Sequence, residues 1–272
     1  MGSEMCIRDS PYPDQSATAL VALRDLSTSI AFLERAQSGS GGTLCSFELM
    51  PRVGLDFACK HVLGGSDPMT APHEWYVLLS LQASGDAINV DTLLSAILEK
   101  ALEVGDIHDA VIASSEQQAN SLWKLREGIV EGQRLEGASI KHDVSVPVSK
   151  VPEFIETAWA IVAKRVPGIR PCPFGHVGDG NIHFNLSKPL DMDTEAFLSL
   201  WEEVNDLVHD HVAELGGSFS AEHGIGMSKI DEMQTYKDPT ALKVMAAIKK
   251  ALDPHNLFNP GKVIPAPHAD SR

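Results

Sequence analysis

The stretch Pro173 to Asn185, PFGHVGDGNIHFN, sets two histidines at equal distances from a Gly-Asp-Gly-Asn turn. Asp-Gly favours a two-residue hairpin turn. If Asp179 and Gly180 form it, His176 and His183 face each other across the strands. Opposed side chains on one hairpin face have Cβ atoms roughly 4.5–5.5 Å apart, within reach of one shared metal ion. The same parity places Asn185 on that face. A lone strand histidine, by contrast, is ordinarily a satisfied or solvated polar residue.

Some forty residues on stands Ser220 to Gly226, SAEHGIG, with a carboxylate and an imidazole side by side at Glu222 and His223. Neighbouring side chains of a plain strand point to opposite faces, so a shared site requires the chain to bend at Gly224. His176, His183 and Glu222 together form a His, His, carboxylate set with open positions, the pattern of a catalytic divalent site. Nitrogen ligands favour zinc over magnesium or calcium. Taken singly, Glu222 reads equally well as a helix cap and His223 as an exposed loop residue.

Outward from these motifs, helical and strand signals alternate. Helices are expected over 18–35, 52–62, 90–104, 115–137, 152–165, 194–215 and 240–252, and strands over 45–50, 74–83, 109–113 and 139–146, besides the histidine hairpin. Two successive strand–helix–strand blocks imply an α+β fold, a mostly antiparallel sheet covered by helices on a duplicated ferredoxin-like plan.

Composition sets outer limits. With 43% hydrophobic residues, 272 positions suffice for a sizeable core. A formal charge of −15 argues against a nucleic-acid binder and against anionic membrane surfaces, so an anionic ligand needs a local basic pocket. Cys6, Cys45, Cys59 and Cys172 show no C-x-x-C spacing; reduced thiols in a bacterial cytoplasm or an organelle matrix are the simplest reading. No apolar run is long enough to span a membrane. The opening MGSEMCIRDS has neither amphipathic period nor signal-peptide core, and residues 1–10 are read as a non-native leader, 266–272 as a tail.

GHVGDGNIHFN and SAEHGIG resemble the two signature stretches of the FAD-linked D-2-hydroxyacid dehydrogenases of the vanillyl-alcohol-oxidase type, nearest to their hydroxyglutarate and lactate branches. LWKLRE at Leu122 to Glu127, IKHDVSVP at Ile140 to Pro147 and LDPHNLFNPGKV at Leu252 to Val263 extend the likeness. It implies that residues 11–265 are the C-terminal cap, or substrate, domain of such an oxidase. The N-terminal FAD-binding domain is expected to lie outside this chain, since no G-x-G-x-x-G fingerprint follows a strand and the glycines of Ser38 to Gly42 read as a loop.

The resemblance also implies roles. His176, His183 and Glu222 hold zinc, and His223 is the general base that accepts the substrate hydroxyl proton. Arg126, Lys141 and Asn185 bind the carboxylates of a small anionic 2-hydroxy acid, and Asn259 contributes to the FAD site. Val130 stands where the glutarate enzymes have a threonine for the distal carboxylate, which weakens the assignment to hydroxyglutarate over malate or lactate. Expected partners are an electron acceptor, either an electron-transfer flavoprotein or a quinone, and a second copy in a homodimer. The residues alone leave two other readings open, a zinc hydrolase with His223 or Asp179 as base and a flavin-free metal-binding interaction module.

Overall fold

A computed structural model describes residues 13–65, 67–85 and 87–264; the leader 1–10 and the tail 266–272 lie outside them. In chain order the elements are β1 (Gln15–Leu23), α1 (Thr28–Gly39), β2 (Leu44–Pro51), α2 (Arg52–His61), β3 (Trp75–Ala83), α3 (Val90–Val104), β4 (Ile107–Ile112) and α4 (Glu116–Leu135). There follow β5 (Ser139–Ile140), β6 (Asp143–Ser145), α5 (Val151–Arg165), β7 (Arg170–His176), β8 (Asn181–Ser187), α6 (Thr194–Leu198), α7 (Trp201–Glu214), α8 (Ile230–Tyr236) and α9 (Pro239–Leu252).

The strands form one sheet in the order β4-β1-β3-β2-β7-β8-β5, with β6 also on β8, and every pairing is antiparallel. The first four strands therefore lie in the order 4-1-3-2 of a ferredoxin-like unit. The second block repeats it. There β5 and β6 act as one interrupted first strand, β7 and β8 as the second and third, and a bridge from Ser145 to Ser218 takes the fourth place. The blocks join through their second strands, β2 and β7. The expected α+β fold with a duplicated ferredoxin-like plan is the observed one.

Two apolar layers sandwich the sheet. On one face α1, α3, α5 and α7 pack Phe32, Ile97, Phe154 and Val208 against Leu79, Ile182 and Phe184. On the other, α2 and α4 pack Leu55, Phe57, Leu125 and Ile129 against Leu20, Met50 and Phe174. The two helices of this second layer approach closely because Gly132 carries no side chain: a Cβ there would stand 2.6 Å from the Phe57 carbonyl oxygen. Alternation along β8 sends Ile182, Phe184 and Leu186 into the first layer, so His183 and Asn185 face the second.

Three expectations need correction. The helix read over 18–35 begins as strand β1, and only its second half, from Thr28, is helix α1. Residues 17–23 are buried throughout, and a strand covered on both faces shows a continuous apolar run that period alone cannot tell from a buried helix. The strand over 139–146 is broken at Lys141 and His142, where the His142 ring pairs with the Phe184 carbonyl oxygen at 2.8 Å. The helix over 194–215 divides into α6, capped by the Asp193 carboxylate, and α7. The short helix α8 was not expected.

Candidate metal and substrate site

The histidine hairpin forms, but not around Asp179–Gly180. The register pairs Phe174 with His183 and Cys172 with Asn185, which moves the turn to Gly178–Asp179. The Gly180 N–H closes it on the Val177 carbonyl at 3.1 Å, and the Asp179 carboxylate accepts the Asn181 N–H at 3.0 Å. Gly180 follows at φ +77°, and a Cβ there would meet the Val146 carbonyl oxygen at 2.0 Å. Relative to expectation the pairing is offset by two residues. An even offset preserves the face, so His176 and His183 still share one side, with ring centroids 6.1 Å apart. Direct opposition of the two histidines is therefore wrong and their convergence right.

Each histidine instead faces a carboxylate on a neighbouring strand. Glu48 of β2 pairs with His176, and Asp143 of β6 pairs with His183. Glu48 Oε1 lies 2.6 Å from His176 Nδ1, while its Oε2 accepts from Arg126 Nε at 3.0 Å. Asp143 Oδ1 lies 3.5 Å from His183 Nδ1 without a hydrogen bond. Its Oδ2 accepts the backbone N–H groups of Glu222 and His223 at 2.8 and 2.7 Å. One buried carboxylate thus anchors the SAEHGIG loop. The chain bends as expected at Gly224, which has φ +73°.

With their Nδ1 atoms turned to carboxylates, both rings aim Nε2 at Glu222. Its two oxygens stand 3.6 Å from His176 Nε2 and 3.7 Å from His183 Nε2. Ligands at ~2.0–2.1 Å around a tetrahedral zinc are separated by about 3.4 Å; one donor atom from each of the three side chains lies within 4.8 Å of the others, so side-chain adjustment of about an ångström brings them to such an ion. A second group, Asp143 with His183 and His223, is also close enough for an ion; with Asp143 Oδ2 committed to two backbone donors, Oδ1 is its free oxygen there. His223 stacks over His183 with centroids 6.0 Å apart, and its side chain is 63% exposed. A cleft of about 390 Å³ lined by Phe47, Glu48, His176, Asp179 and Glu222 opens beside the ligands.

The titration of these groups follows from their partners. Burial pushes the Glu48 carboxyl upward, but the His176 hydrogen bond and the Arg126 charge outweigh it and hold the group below its ordinary value. Asp143 is lowered likewise, burial being overcome by the two backbone N–H groups. His176 is raised, chiefly by its hydrogen bond to Glu48. His183 is lowered, because burial outweighs Asp143 and Glu222.

The other expected residues divide. Arg126 is buried, stacked 4.7 Å over the Phe174 ring and paired with Glu48. Asn185 is buried and donates to Gln133 Oε1 at 3.0 Å. Lys141 is exposed in the break between β5 and β6, where the register on either side sets it opposite Asn185. Val130, although one turn from Arg126, is 46% exposed and lies off the buried stripe of α4. Asn259 is exposed at φ +49° in the closing loop, away from regular structure.

Sequence reasoning missed Glu48, Asp143 and Gln133. A charge inside the apolar run CSFELM was the available signal for Glu48, and Asp143 stood within the quoted IKHDVSVP.

Residues 12–263 match the profile of the FAD linked oxidases, C-terminal domain. The chain belongs to this family. Among curated relatives, D-2-hydroxyglutarate dehydrogenase of Stutzerimonas stutzeri (strain A1501) is 40% identical over 215 residues, 78% of this chain and 46% of that protein. The mitochondrial D-2-hydroxyglutarate dehydrogenase of Arabidopsis thaliana is 34% identical over 265 residues, 97% of this chain and 45% of that protein. This family member thus spans about half the length of the relatives it matches. Its fold matches p-cresol methylhydroxylase with a TM-score of 0.69 at 14% identity, over 94% of this chain and 54% of that one. It matches 4-ethylphenol oxidase from Gulosibacter chungangensis with a TM-score of 0.63 at 16% identity, over 94% and 55%. Among the described residues no helix is long and apolar enough to cross a membrane.

Proposed function

We propose that this chain is the substrate-side portion of a flavin- and zinc-dependent dehydrogenase that oxidises a D-2-hydroxy acid to the 2-keto acid. D-2-hydroxyglutarate is the first candidate substrate, the one named for the relatives, with D-malate and D-lactate behind it. The observation that carries the reading is the convergence of His176, His183 and Glu222 within 4.8 Å, beside the exposed imidazole of His223. Zinc held by those three side chains would supply Lewis-acid activation of the hydroxyl, and FAD would supply the hydride acceptor.

The remaining work belongs to the protein. His223 accepts the hydroxyl proton, its exposed ring free to pass it on to solvent. Asn185, fixed by Gln133, orients the carboxylate or the forming keto group. Arg126 and Lys141 supply positive charge for the acid's far end in a chain whose net charge is −15. Asn259 contributes to holding the flavin. Electrons leave to an electron-transfer flavoprotein or a quinone, and a homodimer in a bacterial cytoplasm or an organelle matrix is the working setting.

Dye reduction by the full-length protein, with this chain joined to its flavin-binding domain since the chain alone is expected to be inactive, tests this with each of the three acids, before and after zinc removal. Turnover of at least one acid that is lost on chelation and restored by zinc is expected. Activity indifferent to zinc, or turnover of none of the acids, overturns the reading.

A further inference from the structure

Glu48 and Asp143 have the same arrangement although they come from different halves of the duplicated fold. Each is the direct cross-strand neighbour of one histidine. Each is nearly inaccessible, with side-chain exposures of 6% and 0%. And each commits one oxygen to fixed donors while turning the other toward the ring: Glu48 Oε2 takes Arg126 and Oε1 faces His176 Nδ1, Asp143 Oδ2 takes two backbone N–H groups and Oδ1 faces His183 Nδ1.

A carboxylate oxygen only accepts, so a neutral His176 ring bonded to Glu48 carries its proton on Nδ1 and its lone pair on Nε2, and the unpaired Asp143 oxygen 3.5 Å from His183 Nδ1 favours the same form there. Those Nε2 atoms are the ones aimed at Glu222. We infer that Glu48 and Asp143 are positioning residues of the candidate metal site: they select the histidine tautomer that offers Nε2, and Asp143 in addition ties the Glu222–His223 backbone to the same point. This rests on the metal reading proposed above. Outer carboxylates that fix a ligating histidine typically contribute about 10- to 100-fold in metal affinity.

The isosteric amides make the test sharp. In Glu48→Gln, the Arg126 donors hold the amide oxygen and the amide NH₂ is left facing His176 Nδ1. In Asp143→Asn, the backbone donors of Glu222 and His223 do the same opposite His183. An NH₂ donor requires Nδ1 to accept, which places the proton on Nε2, where the metal must bind. Buried donors keep an acceptor in both variants, so the packing is retained.

Long-range 1H–15N spectra of the zinc-free chain, at a pH where the rings are neutral, read the tautomers, and competition with a zinc chelator reads the affinity. Wild type is expected to carry Nδ1–H on both rings. Glu48→Gln should switch His176 to Nε2–H and Asp143→Asn should switch His183, each with zinc bound about 10- to 100-fold more weakly. Wild-type rings protonated on Nε2 overturn the inference without any variant, which covers the case of Asp143→Asn failing to fold. Variants with unmoved tautomers and wild-type zinc affinity also overturn it while leaving the metal reading standing. A wild-type chain that binds no zinc overturns both.

Discussion

Glu222 and His223 are adjacent in sequence and hang from one carboxylate oxygen, yet they point to different work. Glu222 closes the three-donor set with His176 and His183, whereas His223 stacks on the outside of His183. In the flavin-loaded protein, Glu222→Gln is expected to lose zinc and turnover together. His223→Asn is expected to keep zinc and lose about 10²–10⁴-fold in kcat; metal analysis beside steady-state rates separates the two, and a His223→Asn rate within a few-fold of wild type rules out the base assignment. Val130 presents a different case. Because it is half-exposed, Val130→Thr should alter stability by no more than about 0.5 kcal/mol. If the distal carboxylate reaches this position, the new hydroxyl should favour D-2-hydroxyglutarate over D-lactate about ten- to a hundredfold in relative kcat/KM; equal effects on both acids would remove residue 130 from the site.

At the scale of elements, the β7–β8 hairpin depends on a turn that only glycine can close. Gly180 combines φ +77° with a backbone contact that leaves no room for a Cβ, so Gly180→Ala should cost more than the ~1 kcal/mol typical of a left-handed position alone. Thermal unfolding reads that loss, and zinc affinity should fall with it because His176 and His183 flank the turn. Helix α9 is the contrasting element. It has no buried residue in this chain, and Val244, Ile248 and Leu252 are 53%, 55% and 80% exposed along one stripe. Ile248→Glu should therefore leave the melting temperature of the chain almost unchanged, whereas an equivalent charge at the fully buried Ile129 of α4 should unfold it.

For the whole molecule, two histidines outside the site set the acid limit. Burial lowers His142 to about 3 and His209 to about 4 from an ordinary 6.5. Both rings stay neutral in the fold and take up protons more readily once unfolded. Their contribution to stability is complete above about pH 6.5 and drains away as pH falls through 4 toward 3. Glu48 and Asp143, also lowered, add to the loss at the acid end. His176 has the opposite sign: its raised value favours the folded chain below pH 6.5, and that contribution disappears as pH rises. Urea midpoints measured from pH 7 to 4 should fall steadily, and His209→Phe should flatten the slope; an unaltered slope would show that His209 takes no part. If His176 ligates zinc as proposed, the ion must displace its proton, and zinc affinity should rise with pH across the same range.

What the sequence by itself determined is local. The bounds of α3, the hairpin and the face shared by His176, His183 and Asn185 all follow from period and parity, which act over a few residues. The candidate donor set of His176, His183 and Glu222 was legible because two short motifs concentrate its side chains. Tertiary structure decided the rest. It placed β1 inside the sheet between β4 and β3, where its apolar run is a strand and not a helix. It moved the turn by letting Asp179 cap Asn181 and Gly180 slip under Val146. It brought Glu48 to His176 across 128 positions of sequence, and Asp143 to the backbone of Glu222 and His223 across 79 and 80. Those partners are fixed by strand register and by packing between elements, long-range interactions that leave no periodic trace in the chain.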